Sequence, residues 1–169
     1  MGDYNNYTEI LDAVISSNIT SIQEFMRTFD LHTKYVSDYK IEQKWVAANI
    51  EATFFLEARL IIMLMELPPL ISRKALLHEA GHILLGHQGN YLLSTTPVSG
   101  SNVEHAANMV SYALIIWFAL CDHADEGTQV YIDLQDMASA YEIPSEDLDY
   151  FAEAYALVMN KTANEQFGC

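Results

Sequence analysis

The sequence predicts an α+β protein, mostly helical with a small β-sheet, and three observations lead there. Apolar residues recur at helical spacing in the first thirty residues and over most of the second half. Short runs of β-branched and aromatic residues cluster between positions 31 and 65, where strands fit better. At 169 residues the chain is long enough to bury one core without disulfide staples, so a single domain over 1–169 is expected.

Taken in order, Tyr7 to Ser17 carries Ile10, Leu11, Val14 and Ile15 on one helical face. Thr20-Ser21-Ile22-Gln23-Glu24 supplies capping-box pairs for a second helix reaching about Phe29, and Leu31 to Val36 reads as a strand. Residues 41 to 66 fit either short strands or one long buried helix. Strands at about 50–57 and 59–65 are preferred. Pro68-Pro69 stops that region, and Ser72 is the expected N-cap of a helix over about 72–86, which Gly86 and Gly89 end. The segment 90–100, rich in Ser, Thr, Pro and Gly, reads as a loop. A buried helix follows from Ser101 or Asn102 to about Leu120, then an acidic turn over 122–128. Two closing helices, about 133–141 and 145–160, flank Tyr141-Glu142-Ile143-Pro144.

Composition excludes several classes. The formal net charge is −15, and between Lys74 and Lys161 there are twelve acidic residues and no basic one. Phosphate neutralisation needs Lys and Arg, so direct nucleic-acid binding is not expected; the acidity reads either as a solvated surface or, more sharply, as a face for a basic protein partner such as the DNA-binding face of a repressor. The apolar stretches Leu60–Leu70 and Met109–Cys121 fall short of the roughly 20 residues of a membrane span and read as core. Two cysteines, Cys121 and Cys169, make no disulfide framework, and no signal-peptide pattern opens the chain, so a reducing, cytoplasmic setting is expected.

The chemistry is concentrated in His78-Glu79-Ala80-Gly81-His82, an H-E-x-x-H set within Ala75-Leu76-Leu77 and Ile83-Leu84-Leu85. Residues four apart on a helix are rotated by about 400°, so His78 and His82 share a face and can offer both imidazoles to one cation. Glu79 flanks the same ion as a proton acceptor. That is the donor set of a zinc hydrolase, in which Zn²⁺ acidifies a water and a carboxylate takes its proton. The competing reading is a hydrogen-bonded structural pair of histidines. Buried polar groups without partners are costly, which favours a metal.

A third protein ligand is needed. Leu85 and Gln88 occupy the positions where a metzincin would place Gly and His, excluding that class. His87 lies about 140° round a continuous helix from His82 and should point elsewhere. Glu104, opening the next buried helix in Glu104-His105-Ala106-Ala107-Asn108, is the preferred third ligand, the gluzincin arrangement. Its competing role is local, since Ser101-x-x-Glu104 also reads as a capping box. Asn108, one turn on and on the same face, is expected to hydrogen-bond a ligating His from behind.

His78-Glu79-Ala80-Gly81-His82-Ile83 followed by Glu104-x-x-Ala107-Asn108 resembles the ImmA/IrrE group of zincin-like metallopeptidases, which show H-E-x-G-H and then E-x-x-A-N-x-F-A on the next helix. Val110-Ser111 stands where that group has Phe-Ala, and Ile116-Trp117-Phe118 where it has a Leu-Met-Pro-like ending. Asp133 to Leu148 is similar to the helix-turn-helix-like pair that follows the peptidase core there, so the resemblance covers about 20–155. It implies a zincin-like core over about 20–121, a C-terminal helical segment over 122–169, and cleavage of a helix-turn-helix repressor to relieve repression.

The closing pair offers Ser145-Glu146-Asp147-Leu148-Asp149-Tyr150 where a DNA-reading helix needs basic or amide side chains, so it reads as a protein-docking or packing element. Cys121-Asp122-His123-Asp125-Glu126 has metal-binding composition without ligand spacing and reads as a solvated helix end. Two functions follow. In the first, His78, His82 and Glu104 hold Zn²⁺ and Glu79 is the general base of an endopeptidase; His105, Tyr112, Tyr91 and His123 are unranked oxyanion candidates. In the second, the scaffold is an antirepressor that sequesters its regulator without cutting it.

Overall fold

The computed structural model describes residues 3–87, 100–124 and 133–166. The expected 90–100 loop, except Gly100, and most of the acidic turn lie outside them. Helix α1 (Tyr7–Ser16) starts where the Asn6 side chain accepts the Glu9 N–H, and it buries Ile10, Leu11, Val14 and Ile15. Helix α2 (Ile22–Thr28) has the anticipated capping pair. Ser21 accepts the Glu24 N–H, and the Glu24 carboxylate accepts the Thr20 N–H.

Three strands form one mixed sheet in the order β1-β3-β2: β1 (His32–Tyr35), β2 (Ala52–Phe55) and β3 (Leu60–Met63). β1 runs parallel to β3 with His32 opposite Leu60; β2 runs antiparallel to β3 with Ala52 opposite Met63. Ile61 and Met63 turn inward with Phe54, the period-two burial of a one-sided sheet.

Between β1 and β2 lies a helix that the sequence pattern does not announce, α3 (Tyr39–Ala47), where residues from 41 on fit strands or a much longer helix. Asp38 caps it by accepting the Lys40 and Ile41 N–H groups, yet none of its residues is buried. Apolar periodicity reports burial, so a helix lying on the surface leaves little of it to read.

Helix α4 (Pro69–Leu84) corrects the expected start. Its N-cap is Pro68 with no side-chain cap, Pro69 presets the first helical φ, and the Ser72 N–H is already bonded to the Pro68 carbonyl at 2.8 Å. Ser72 is therefore inside the helix. Helix α5 (Gly100–Ala124) runs longer than expected, and its residues Asn102–Asp122 are long and apolar enough by composition to cross a membrane. Here it is the central core helix, with Ala107 and Met109–Ile116 almost wholly buried among residues of α1, α4 and α7. Helix α6 (Leu134–Ala140), a 3₁₀ turn (Ser145–Asp147) and helix α7 (Leu148–Gln166) close the chain near the expected bounds.

The α4–α5 crossing positions the site. A Cβ added to Gly81 would lie 3.0 Å from Val110 Cβ and 3.3 Å from both Cα and O of Ala107, so the two backbones are in near contact. Gly81→Ala should thus destabilise the protein by about 1–2 kcal/mol in thermal melts, the overpacking outweighing the roughly 1 kcal/mol of helix propensity that alanine adds. A variant as stable as the parent would mean that α5 can recede freely.

Candidate metal centre

The split of the donors between α4 and α5 is what that crossing serves. His78 and His82, one turn apart on α4, set their Nε2 atoms 3.1 Å from each other. Glu104, near the start of α5, places Oε2 3.2 Å from His78 Nε2 and 3.6 Å from His82 Nε2. Among the described residues, only His78, His82 and Glu104 bring three such donor atoms within 4.8 Å of one another. Ligands about 2.0–2.1 Å from a tetrahedral zinc stand about 3.3 Å apart, so the observed spacings match the edges of that tetrahedron. Two imidazoles and a carboxylate are also the right donor chemistry.

His82 is 2 % exposed and held on two sides. The Phe54 ring of β2 stacks on it, centroids 4.9 Å apart and 7° from parallel. Behind it, His82 Nδ1 lies 2.9 Å from His87 Nδ1. The expectation that His87 points elsewhere assumes a continuous helix. Instead Leu85 caps α4, Gly86 takes φ 67°, and bonds from Gly86 N–H to the Ile83 carbonyl (3.1 Å) and from His87 N–H to the His82 carbonyl (2.9 Å) close a Schellman turn. That closure brings His87 back over His82, on the nitrogen facing away from Glu104.

Charges in the cluster are strongly coupled. Burial works to lower the His78 pKa, but the hydrogen bond to Glu104, the charges of Glu79 and Glu104, and neighbouring Asn108 raise it overall. Burial and the charge of His78 lower His82. Hydrogen bonds from both histidines hold the Glu104 carboxyl far below the usual carboxylate range. His87 is lowered to about 4 by burial and by the charge of His82. Glu79 behaves oppositely: burial raises it to about 7, with Glu104 adding to the rise against the pull of His78.

A cleft of about 480 Å³ opens onto His78, Glu79, His82 and Glu104, with Lys74 and Ala75 on the α4 side and Asn49 to Phe54 opposite. β2 is the sheet's edge on this side. The bond from Leu64 N–H to the Glu51 carbonyl, with the β2–β3 register, turns Glu51, Thr53 and Phe55 toward β3. The main-chain groups of Ala52 and Phe54 therefore face the free edge.

The remaining sequence candidates are dispersed. Asn108 sits beside His78, favouring its charged form, but its Nδ2 donates to Asp147 Oδ2 at 3.3 Å. Tyr112 is in the core, its hydroxyl donating to the same Asp147 oxygen at 2.6 Å and its ring edge-on to Phe151. His105 packs against Tyr150. Neither Tyr112 nor His105 lines the cleft. Tyr91 and the His123 side chain lie outside the described residues, as do Asp125 and Glu126; Asp122 pairs with Arg73 at 3.5 Å. Sequence reasoning misses Asp147. In Pro144-Ser145-Glu146-Asp147 it looks like one more acid at an exposed helix start.

No family model, no curated protein and no solved structure matches this chain.

The raised Glu79 pKa carries a stability consequence. The folded state holds this proton up to about pH 7, the unfolded chain only to about 4.5, so stability falls as pH rises through that window. Without metal, Glu79→Gln should then be more stable than the parent by about 1–3 kcal/mol at pH 8, the gap closing toward pH 5. Denaturant unfolding in chelator at the two pH values checks this. Equal stability at pH 8 would mean that Glu79 ionises freely in the fold.

Proposed function

We propose that the chain is a zinc-dependent endopeptidase of the ImmA/IrrE type, with a zincin-like core over about 20–121 and a helix-turn-helix-like pair after it. Its substrate in this reading is a DNA-binding repressor in the cytoplasm. The observation that carries it is the convergence of His78, His82 and Glu104 at ligand spacing beside Glu79, at the floor of a cleft. The motif resemblance adds the repressor.

Each residue then has a task. His78, His82 and Glu104 would hold the cation through Nε2, Nε2 and a carboxylate oxygen. Zinc, when bound, supplies the Lewis acidity that makes water a nucleophile near neutral pH and polarises a carbonyl. Glu79 takes the proton of the attacking water and returns it to the leaving amine. The main-chain groups of Ala52 and Phe54, which bond no other strand among the described residues, can pair with an extended peptide, laying a substrate across the cleft as an added strand. Phe54 thereby joins two tasks, since its ring also braces His82.

A sequestering role without cleavage has its own support in the acidic, exposed side chains Asp136, Glu142, Glu146, Asp149 and Glu153 of the C-terminal segment, which fit a basic partner. One experiment separates the two. With Zn²⁺ and helix-turn-helix repressors of its own host, the parent should yield fragments. Glu79→Gln should keep its zinc and lose cleavage by at least about 10²-fold. A fully active Glu79→Gln rules out this mechanism; a salt-sensitive complex that never yields fragments establishes sequestration instead.

A further inference from the structure

We propose that His87 is a positioning residue of the metal centre: its imidazole accepts the Nδ1 proton of His82 and fixes that ring in the tautomer whose Nε2 lone pair faces His78 and Glu104. This rests on the reading of His78, His82 and Glu104 as zinc ligands.

A neutral imidazole has one ring proton and two nitrogens, so the partner of one nitrogen decides which is free to bind a cation. Metal-ligating histidines ordinarily donate the far N–H to a carboxylate or a carbonyl. Here the atom 2.9 Å from His82 Nδ1 is an imidazole nitrogen. Its position is built in by the backbone. The Schellman turn needs the left-handed φ of Gly86, and its 2.9 Å bond from His87 N–H back to the His82 carbonyl ties the two residues together at main chain and side chain alike. Ring centroids 5.1 Å apart at 66° set the two rings edge to face, and a single proton between the two Nδ1 atoms, carried by His82, satisfies both. Phe54 stacks on the face of the His82 ring while His87 fixes its edge, so rotation about either χ angle is opposed. Had α4 continued helically, residue 87 would have projected away from this nitrogen.

The test measures zinc affinity of the purified full chain by competition with a chromophoric chelator. His87→Ala should weaken binding 10–100-fold, the usual effect of removing such an outer partner. His87→Asn keeps an acceptor, its Oδ1 taking the place of Nδ1, and should stay within about threefold of the parent. In zinc-loaded protein labelled with ¹⁵N-histidine, His82 should show a protonated, exchange-protected Nδ1 in the parent and in His87→Asn. That protection should be lost in His87→Ala. His87 is only half-buried, outside the core, and thermal melts confirm that both variants fold. Parent-like affinity in His87→Ala, an Asn variant as weak as the Ala variant, or His82 protonated on Nε2 in the loaded parent would each overturn the role of His87 alone. A parent that takes up no zinc would overturn the proposed function and this role together.

Discussion

The three candidate metal donors are divided between two helices, and their geometry is therefore set by how closely those helices pass. The near contact falls at Gly81 and Ala107, one residue from His82, three from His78 and three from Glu104. All three donors are thus within one helical turn of the point where the backbones touch, so a small change in separation is transmitted to the site almost undiminished. A Cβ added at Gly81 would press on Val110 Cβ and on the Ala107 backbone and push the two helices apart. The glycine inside the H-E-A-G-H sequence thus permits the close approach that brings Glu104 to the two histidines.

The same proximity is electrostatically expensive unless something compensates. Two Nε2 atoms 3.1 Å apart cannot both carry a proton toward each other, and Glu104 satisfies them only in part, nearer His78 than His82. A purely structural reading accommodates that much, since one shared proton and one carboxylate make a stable cluster. It does not account for Glu79. No described residue donates a hydrogen bond to its carboxyl, and burial opposes its ionisation. Burying this carboxyl gains the fold no such partner, so its place beside the three donors is left without a structural reason.

The helix with His78 and His82 is legible in the amino-acid order because a motif of fixed spacing coincides with apolar flanks, two signals of the same 3.6-residue period. Glu104 is legible because it opens the next apolar helix. Three features cannot be read there, each for a physical reason. The helix over Tyr39–Ala47 buries nothing and so leaves no hydrophobic period. The start of α4 depends on the fixed φ of Pro69, not on a capping side chain, so Ser72 is a decoy. His87 is misplaced because angular reasoning on a helix fails once a glycine with positive φ reverses the chain, and Gly86 is visible as a stop but not as a return. Val110 and Ser111 are packing residues here: Val110 sits against Gly81, and the Ser111 hydroxyl donates to the Lys74 carbonyl at 3.1 Å.

Asn108, expected to bond a histidine, lies near His78 but donates its amide to Asp147, which changes the status of the C-terminal segment. Asp147 accepts from both Asn108 and Tyr112, two side chains of α5, one and two turns beyond Glu104. Five residues earlier, the Glu142 carbonyl accepts from Lys74 Nζ on α4, one turn before His78, at 3.2 Å. A stretch of six residues, 142–147, therefore grips both ligand-bearing helices, each within a turn or two of its ligands. The segment is built into the frame of the site, opposing the same separation that Gly81 permits to be small. Its outer face carries the exposed acids Glu142 and Glu146, while its inner face ties α4 and α5 through Lys74, Asn108 and Tyr112.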